Sequence, residues 1–558
     1  MKIKGHIVDV VHRNIYDGEI VVKGGKIAAV KRCRLPAAGE PYPYLMPGFI
    51  DSHVHIESSM MEPHEFARVA VGHGTIGVVA DPHEICNVMG EEGLDYMMRS
   101  GARATMNISY GAPSCVPAVG GEVETSGAVL DADDIERLMA RDDIGFLGEV
   151  MNYTGVLNGD EQVMKKIAAA QRHGKPVDGH APGLMGTDRL RYASAGISTD
   201  HECSTLEEGL ACIKAGMKVL IREGSAAKDF DKLKPLIGKE PGNVMFCTDD
   251  CHPDELVRGH INSLVKRAIA DGYDLFDILQ AACVNPQRHY HLHWGLLQQD
   301  DPATFIVVDN VGPHFRVRHT FVHGVEVFSY NSSSGAIHAQ AVRGGMAKAY
   351  PNRFVAAPIT AADIKLDLRS GDTVKIIVAT DGSIYTGHEV VPLTGNPLID
   401  ALYPWPEVQK IVVYNRYTPG AKPIVGLIRG FGLRDGAIAS SVAHDCHNIV
   451  AIGLNDDYIV SAINRVVEMQ GGQVVVSREE MLDVALPIGG LMSPLSGHEV
   501  AYRSRLIRDK VEQIGCKMKA PFITMAFMCL PVIPELKLTD RCLLNSSTIT
   551  PVPLVTKP

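Results

Sequence analysis

Short apolar runs broken by polar residues open the chain, at 7–11, 18–22 and 26–30, and Gly24-Gly25 between the last two predicts a β-hairpin turn. From Pro47 to about Asp300 the rhythm changes: apolar runs of four to six residues alternate with longer stretches of helical period. That alternation is the sign of β/α units on a parallel sheet. The apolar runs end near His55, Asp81, Gly111, Glu149, His180, His201, Glu223 and Asp249. Between them lie helical stretches such as 160–173 before Gly174 and 205–215 before Gly216, each followed by a glycine suited to a helix C-cap. Eight such units in ~250 residues fit the length of a (β/α)8 TIM-type barrel. In a barrel the C-terminal strand ends converge on one face, whereas in a doubly wound sheet they would lie in a row. Nearly every run here ends in His, Asp or Glu, so an α/β barrel is the expected architecture.

Beyond the barrel, 305–308 and 320–322 before His323-Gly324 predict strands that return to pair with the N-terminal ones in a small β domain. From about Asn352 a mixed α/β segment follows, with strands expected at 374–378, 411–414 and 472–476. The division expected is 1–46 and 301–350 for the two parts of the small β domain, 47–300 for the barrel and 351–558 for a C-terminal α/β domain.

The strand ends carry the candidate chemistry. In Pro47-Gly48-Phe49-Ile50-Asp51-Ser52-His53-Val54-His55 two histidines at i and i+2 of a strand face the same way, so both imidazoles can reach one metal. Glu149, His180, His201 and Asp249 sit at the ends of later strands. Each alone reads as an ordinary surface or hydrogen-bonded residue, but four imidazoles and two carboxylates on one rim make a binuclear nitrogen and oxygen site. Such ligands suit Mn, Fe or Zn, and two ions can share a bridging hydroxide.

Bulk properties narrow the field. With 558 residues, 46% hydrophobic and 21% charged, the chain has the balance of a soluble multidomain protein. A net charge of -11 argues against nucleic-acid binding. The apolar stretch 523–534 is interrupted by Pro531 and Pro534 and falls short of the ~20 residues that span a bilayer, so no membrane association is expected. Twelve cysteines occur without a C-x-x-C pair, the nearest two being Cys247 and Cys251, which reads as reduced thiols in a cytoplasmic protein. The H-x-E plus P-C-x-x-C pattern of the cytidine-deaminase type is missing its second half. The H-E-x-x-H of zincins is absent as well.

The order H-x-H, bridging residue, His, His, Asp on successive strands resembles the amidohydrolase superfamily. Many members bridge their metals with a carboxylated lysine, whereas here Glu149 holds that place and 146–153 contains no lysine, which points away from hydantoinases and dihydroorotases. Longer matches resemble the adenine deaminase family: His55-Ile56-Glu57-Ser58-Ser59-Met60, Ala80-Asp81-Pro82-His83-Glu84-Ile85, Arg222-Glu223-Gly224-Ser225 and Thr248-Asp249-Asp250-Cys251-His252-Pro253. His444-Asp445-Cys446-His447-Asn448 and Leu486-Pro487-Ile488-Gly489-Gly490-Leu491 extend the resemblance into the C-terminal segment. The stretch 299–310 and the tail after Asp540 depart from the family pattern.

The resemblance implies a metal-dependent hydrolase converting adenine to hypoxanthine and ammonia in purine salvage, by attack of a metal-bridging hydroxide on C6. It implies that His53 and His55 hold one ion, His180 and His201 the other, and that Glu149 bridges them. Asp249 would ligate the first ion and act as general base and then acid. The cofactor expected is a pair of divalent ions, manganese first and iron or zinc as alternatives, and a homodimer is the default assembly. Glu84 is expected at the substrate or a metal-bound water, and His83 behind a ligand. Ser225, Glu202 and Asp250 are expected to line the substrate pocket or support the ligands. His444 and His447 either line the pocket from a domain folding over the barrel mouth or, the preferred reading, serve hydrogen bonds inside the third segment, and Glu57-Ser58-Ser59 is expected to cap the helix after the first barrel strand. The competing readings are a different amidohydrolase acting on another purine or a cyclic amide, and a non-catalytic barrel scaffold.

Overall fold

The computed structural model describes residues 1–36, 41–331, 336–340, 349–394 and 407–557; residues 341–348 of the expected 301–350 segment are among those outside the described residues. The chain begins with β1 (Lys2–Asp9), β2 (Asn14–Lys23), β3 (Lys26–Arg32) and β4 (Tyr44–Met46). Gly24 and Gly25 both take positive φ, 58° and 75°, the conformation a tight hairpin turn with matching twist requires.

The barrel follows as β5 (Phe49–His55), β6 (Thr75–Ala80), β7 (Asn107–Ala112), β8 (Ile144–Val150), β9 (Val177–Gly179), β10 (Thr199–Asp200), β11 (Lys218–Arg222), β12 (Val244–Cys247) and β13 (Asp249–Asp250). The ladders β13-β5-β6-β7-β8-β9 and β10-β11-β12 are parallel throughout. The Ser198 N–H bonds the Val177 carbonyl at 2.9 Å and so links β10 to β9. β12 and β13 are two halves of one strand interrupted at Thr248, and β13 closes the ring by pairing Asp249 with Val54 and Asp250 with His55.

The helices form where their caps predict. Glu161–Arg172 starts on an Asp160 side chain that accepts from the Val163 N–H, and Leu206–Lys214 starts on a full capping box between Thr205 and Glu208. The seventh strand ends one residue earlier than expected. Arg222 therefore takes the inward position, and Glu223 turns outward to pair with Arg267.

After the barrel, β14 (Phe305–Val308), β15 (Val317–Val322), β16 (Val325–Tyr330) and β17 (Ile337–Ala339) join the N-terminal strands in one sheet, ordered β17-β16-β15-β14-β4-β1-β2-β3. The stretch 299–310, which departs from the family pattern, still folds as β14, because Phe305 and Val307 point into the apolar cluster with Ile7, Ile20 and Leu45.

Among the described residues the third segment holds a nine-stranded sheet with helices on both faces and a separate three-stranded sheet. Asp456–Met469 packs Ile459, Ile463 and Val466 on one face, while Gly497–Gln513 and Pro521–Phe527 pack Val500, Ile507 and Met525 on the other. Strands covered on both sides are apolar at nearly every position, as Ile449–Gly453 and Gly472–Val476 are. This segment lies over the barrel face that carries the strand C-termini: Ser493 N–H bonds the Met60 carbonyl, and Asn448 Nδ2 bonds that of Thr125, both at 2.9 Å. Among the described residues no helix is long and apolar enough to cross a membrane.

Lys537 gives the third segment a pH-sensitive core. It is fully buried, and its Nζ donates to the carbonyls of Ile384 and Phe527, both at 2.9 Å. Burial pushes its pKa down to about 7. Between there and the ordinary lysine value of about 10.4 the unfolded chain binds more protons than the folded one, so stability rises with pH across that window. Below it both states carry the proton and the slope vanishes. Lys537→Met removes the slope, so between about pH 7.5 and 9.5 wild type is expected to gain on the variant by up to about 1.4 kcal/mol per pH unit. Urea unfolding at several pH values measures this, and parallel profiles would contradict it.

Candidate metal centre and active site

His53 and His55 occupy alternate positions of β5, so both rings enter the barrel mouth, edge to face at 4.9 Å between centroids. His55 Nδ1 lies 3.0 Å from the Asp81 carbonyl, which places a proton on Nδ1 and turns Nε2 toward the carboxylates of Glu149 and Asp249. His53 Nδ1 faces the Asp178 carboxylate at 3.6 Å. Asp178 is in turn held by the hydroxyls of Thr199 at 2.8 Å and Tyr290 at 2.9 Å, the kind of carboxylate backing that orients a ligand imidazole.

Glu149 stands at the centre. Its Oε1 is 3.6 Å from His55 Nε2, while its Oε2 is 3.1 Å from His180 Nδ1 and 3.0 Å from His201 Nε2. Asp249 Oδ1 is 3.0 Å from His55 Nε2 and 3.8 Å from His53 Nε2. The structure thus brings together all six residues expected as ligands, each 6% exposed or less. Donors 3.0–3.8 Å apart match the edges of a coordination shell built on bonds of about 2.0–2.2 Å. Of the ring nitrogens turned toward these carboxylates, Nε2 of His53 is buried with no hydrogen-bond partner among the described residues. Buried polar atoms are rarely left unpaired, so this donor set fits divalent metal ions.

Burial alone would raise the Glu149 pKa, but His180 and His201 outweigh it and hold the carboxylate well below its usual range. Burial likewise opposes ionisation of Asp249, and the hydrogen bond with His55 together with the charges of His201 and Arg222 overcomes it. Asp249 takes a left-handed φ of 58°, a strained position that the break at Thr248 permits and that turns its carboxylate toward the histidines.

Above this cluster lies a second polar group. Glu84, which opens the helix His83–Met89, has Oε1 3.1 Å from His444 Nδ1 and Oε2 3.9 Å from His447 Nε2. The expectation that these histidines serve only their own segment is corrected here: the loop between Ala437–Ser440 and Ile449–Gly453 reaches across to the barrel. Ser58 Oγ is 2.5 Å from Asp250 Oδ1 and 3.4 Å from Glu84 Oε1. Glu57-Ser58-Ser59 does not cap the helix that follows the first barrel strand; Glu57 Oε1 instead accepts from the Ile85 N–H at 3.2 Å, in the first turn of His83–Met89. With Ile56 the tripeptide forms a short 3-10 helix, Ile56–Ser59, that has no side-chain cap and delivers Glu57 and Ser58 to the site. Burial, then the charge of Asp249, pushes Asp250 up to about 6, and burial, then Glu84, pushes Glu57 up to about 8.

Glu202 lies against the ligands, with Oε1 3.5 Å from both His180 Nδ1 and His201 Nε2, and its carboxylate is held by Arg222 through both terminal nitrogens. Arg222 also donates to Asp249 Oδ2 at 3.0 Å. Ser225 is engaged elsewhere. Its Oγ donates to Glu255 Oε2 at 2.7 Å and accepts from the His252 N–H at 2.9 Å, so the structure does not bring it into the cluster. His83 sits beside the centre, Nδ1 3.5 Å from Glu149 Oε1. Sequence reasoning missed Arg222 and Asp178, although each stands two residues from an inward-facing neighbour, Leu220 and His180, and strand parity would have found both.

Comparison with known proteins agrees with this geometry. Residues 44–327 match the amidohydrolase family and residues 384–549 the adenine deaminase C-terminal domain. The chain is 47% identical to an adenine deaminase of Salinibacter ruber over 98% of its length and 97% of that protein's. It is 45% identical to one of Methanosarcina barkeri over 97% of each, and 39% identical to one of Borreliella burgdorferi over 98% of each. A barrel with a carboxylate between two histidine pairs, matched end to end by these relatives, places the chain in the adenine deaminase family of the amidohydrolases.

Proposed function

We propose that this protein hydrolyses adenine to hypoxanthine and ammonia, using a pair of divalent ions, manganese by preference, held by His53, His55, Glu149, His180, His201 and Asp249. The observation that carries the reading is the placement of Glu149, whose two carboxylate oxygens face different members of one buried imidazole set. Divalent ions there would act as Lewis acids, lowering the pKa of water toward about 7 and so supplying a nucleophile at neutral pH.

The chain's own groups do the rest. Asp249, ionised and reached by both His55 and Arg222, accepts the proton released as water adds to C6 of adenine. It then returns a proton to the exocyclic nitrogen, which leaves as ammonia. Glu84, paired with His444, faces the ring nitrogen next to C6. Asp250 with Ser58, and Glu202 with Arg222, hold these groups in register. The third segment covers the barrel mouth, and excluding bulk water strengthens each of these interactions.

The free thiols suit a cytoplasmic protein, the purine substrate class suits a role in purine salvage, and the homodimer is proposed from family resemblance alone. We divide the chain into a small β domain of 1–46 and 301–350, a barrel of 47–300 and a covering domain of 351–558.

The direct test is ammonia release from adenine by manganese-loaded protein against a chelated control. Metal-dependent conversion to hypoxanthine is expected. Binding of about two ions per chain without adenine turnover would overturn the substrate while leaving the metal centre standing.

A further inference from the structure

Beside the six-donor centre lies a cluster that the reaction does not use. The sulfur of Cys115, a ring nitrogen of His83 and a carboxylate oxygen of Asp445 all lie within 4.8 Å of one another, and all three residues are buried. They come from different parts of the fold: His83 from the start of the helix after β6, Cys115 from the loop after β7, and Asp445 from the third segment. His83 turns its Nδ1 edge toward Glu149 at 3.5 Å and its Nε2 edge toward Asp445 Oδ2 at 3.9 Å, so Asp445 meets the imidazole on the edge away from Glu149. Asp445 is 1% exposed, and its Oδ2 has no hydrogen-bond partner among the described residues. A buried carboxylate oxygen without a donor is costly, and a cation is the simplest partner for it.

We propose that His83, Cys115 and Asp445 form a separate mononuclear metal site for a thiophilic divalent ion, zinc above all. Bonds of about 2.0–2.1 Å to imidazole nitrogen, about 2.0–2.2 Å to carboxylate and about 2.3 Å to sulfur put tetrahedral donors about 3.3–3.8 Å apart, and the 3.9 Å between His83 Nε2 and Asp445 Oδ2 is close to that. Neutral imidazole, thiolate and carboxylate together balance the charge of a divalent cation. The thiolate separates this site from its neighbour, because soft sulfur selects zinc whereas imidazole and carboxylate alone also suit manganese. An ion held there ties the third segment to two barrel loops at the mouth of the catalytic site.

Cobalt(II) titration of the metal-free full-length protein tests this, because a thiolate ligand gives a near-ultraviolet charge-transfer band that nitrogen and oxygen ligands do not. Wild type is expected to bind about three ions per chain and to show the band, whereas Cys115→Ser binds about two and lacks it. Asp445→Asn keeps the sulfur but is expected to bind the third ion at least about tenfold more weakly in competition with a chelator, and it decides the matter if the serine variant does not fold. About two ions and no band in wild type would overturn the site, as would a third ion without the band or a band that persists in Cys115→Ser. None of the six catalytic donors is a thiol, so the result stands apart from whether adenine is the substrate.

Discussion

Asp249→Asn is expected to lower adenine turnover about 10^3- to 10^4-fold, in the upper part of the range for a positioned acid–base group, while metal content stays close to that of wild type. The substitution is mild everywhere except at the proton. Asparagine enters the left-handed region at least as readily as aspartate, so the φ of 58° at this position is kept. The amide oxygen can still face His55, and the nearby His53 and Glu149 still provide donors for the same ion. What disappears is the basicity that accepts water's proton, together with the charge that pairs with Arg222. Turnover and bound metal measured on one preparation separate these effects. Near-normal turnover would remove Asp249 from proton transfer, and loss of both metal and turnover would reduce it to a ligand alone.

Much of this centre is legible in the chain itself, and the reason is geometric. A parallel barrel sends every strand end to one rim, so His55, Glu149, His180, His201 and Asp249 converge even though their order along the chain says nothing of distance. Strand parity then puts His53 beside His55. The same rule applied at β11 would have corrected the seventh strand. Leu220 points inward with Val79, Phe146 and Met245, so Arg222 does too, and Glu223 belongs outside with Arg267.

His444 and His447 were illegible for a different reason. They sit on a loop within a sheet domain that has its own core, and no local period can announce that such a loop reaches a site on the barrel. Glu57-Ser58-Ser59 failed similarly. Its composition is that of a helix cap, and only the packing of the 3-10 turn against Glu84 and Asp250 reveals its use. Local sequence carries secondary structure and the facing of side chains, whereas contacts between domains depend on shapes that form later.

The loop from the third segment suggests the second large effect. Glu84→Gln is expected to reduce kcat/KM for adenine by about 10^2- to 10^3-fold, with most of the loss in kcat and with metal content unchanged. Water adding to C6 pushes electron density onto the adjacent ring nitrogen, and that nitrogen needs a proton for the step to go forward. Burial opposes ionisation of Glu84, yet His444 and then His447 hold its carboxylate well below the usual range. His444 is affected in the opposite sense: burial disfavours its charge, but Glu84 and Asp250 raise its pKa well above the ordinary imidazole value. The pair is therefore an anion backed by a protonated imidazole, able to receive a ring N–H or relay a proton to it. Glutamine keeps the shape and can still hydrogen-bond, but it cannot pass a proton, which is why kcat should fall more than KM rises. A purely structural clasp between barrel and third segment predicts another pattern, in which Glu84→Gln lowers thermal stability while kcat/KM stays within about twofold of wild type. His444→Gln, which removes the proton source but leaves the carboxylate, is expected to fall between wild type and Glu84→Gln. If it were as severe as Glu84→Gln and the double variant no worse, the two residues would be acting as one unit.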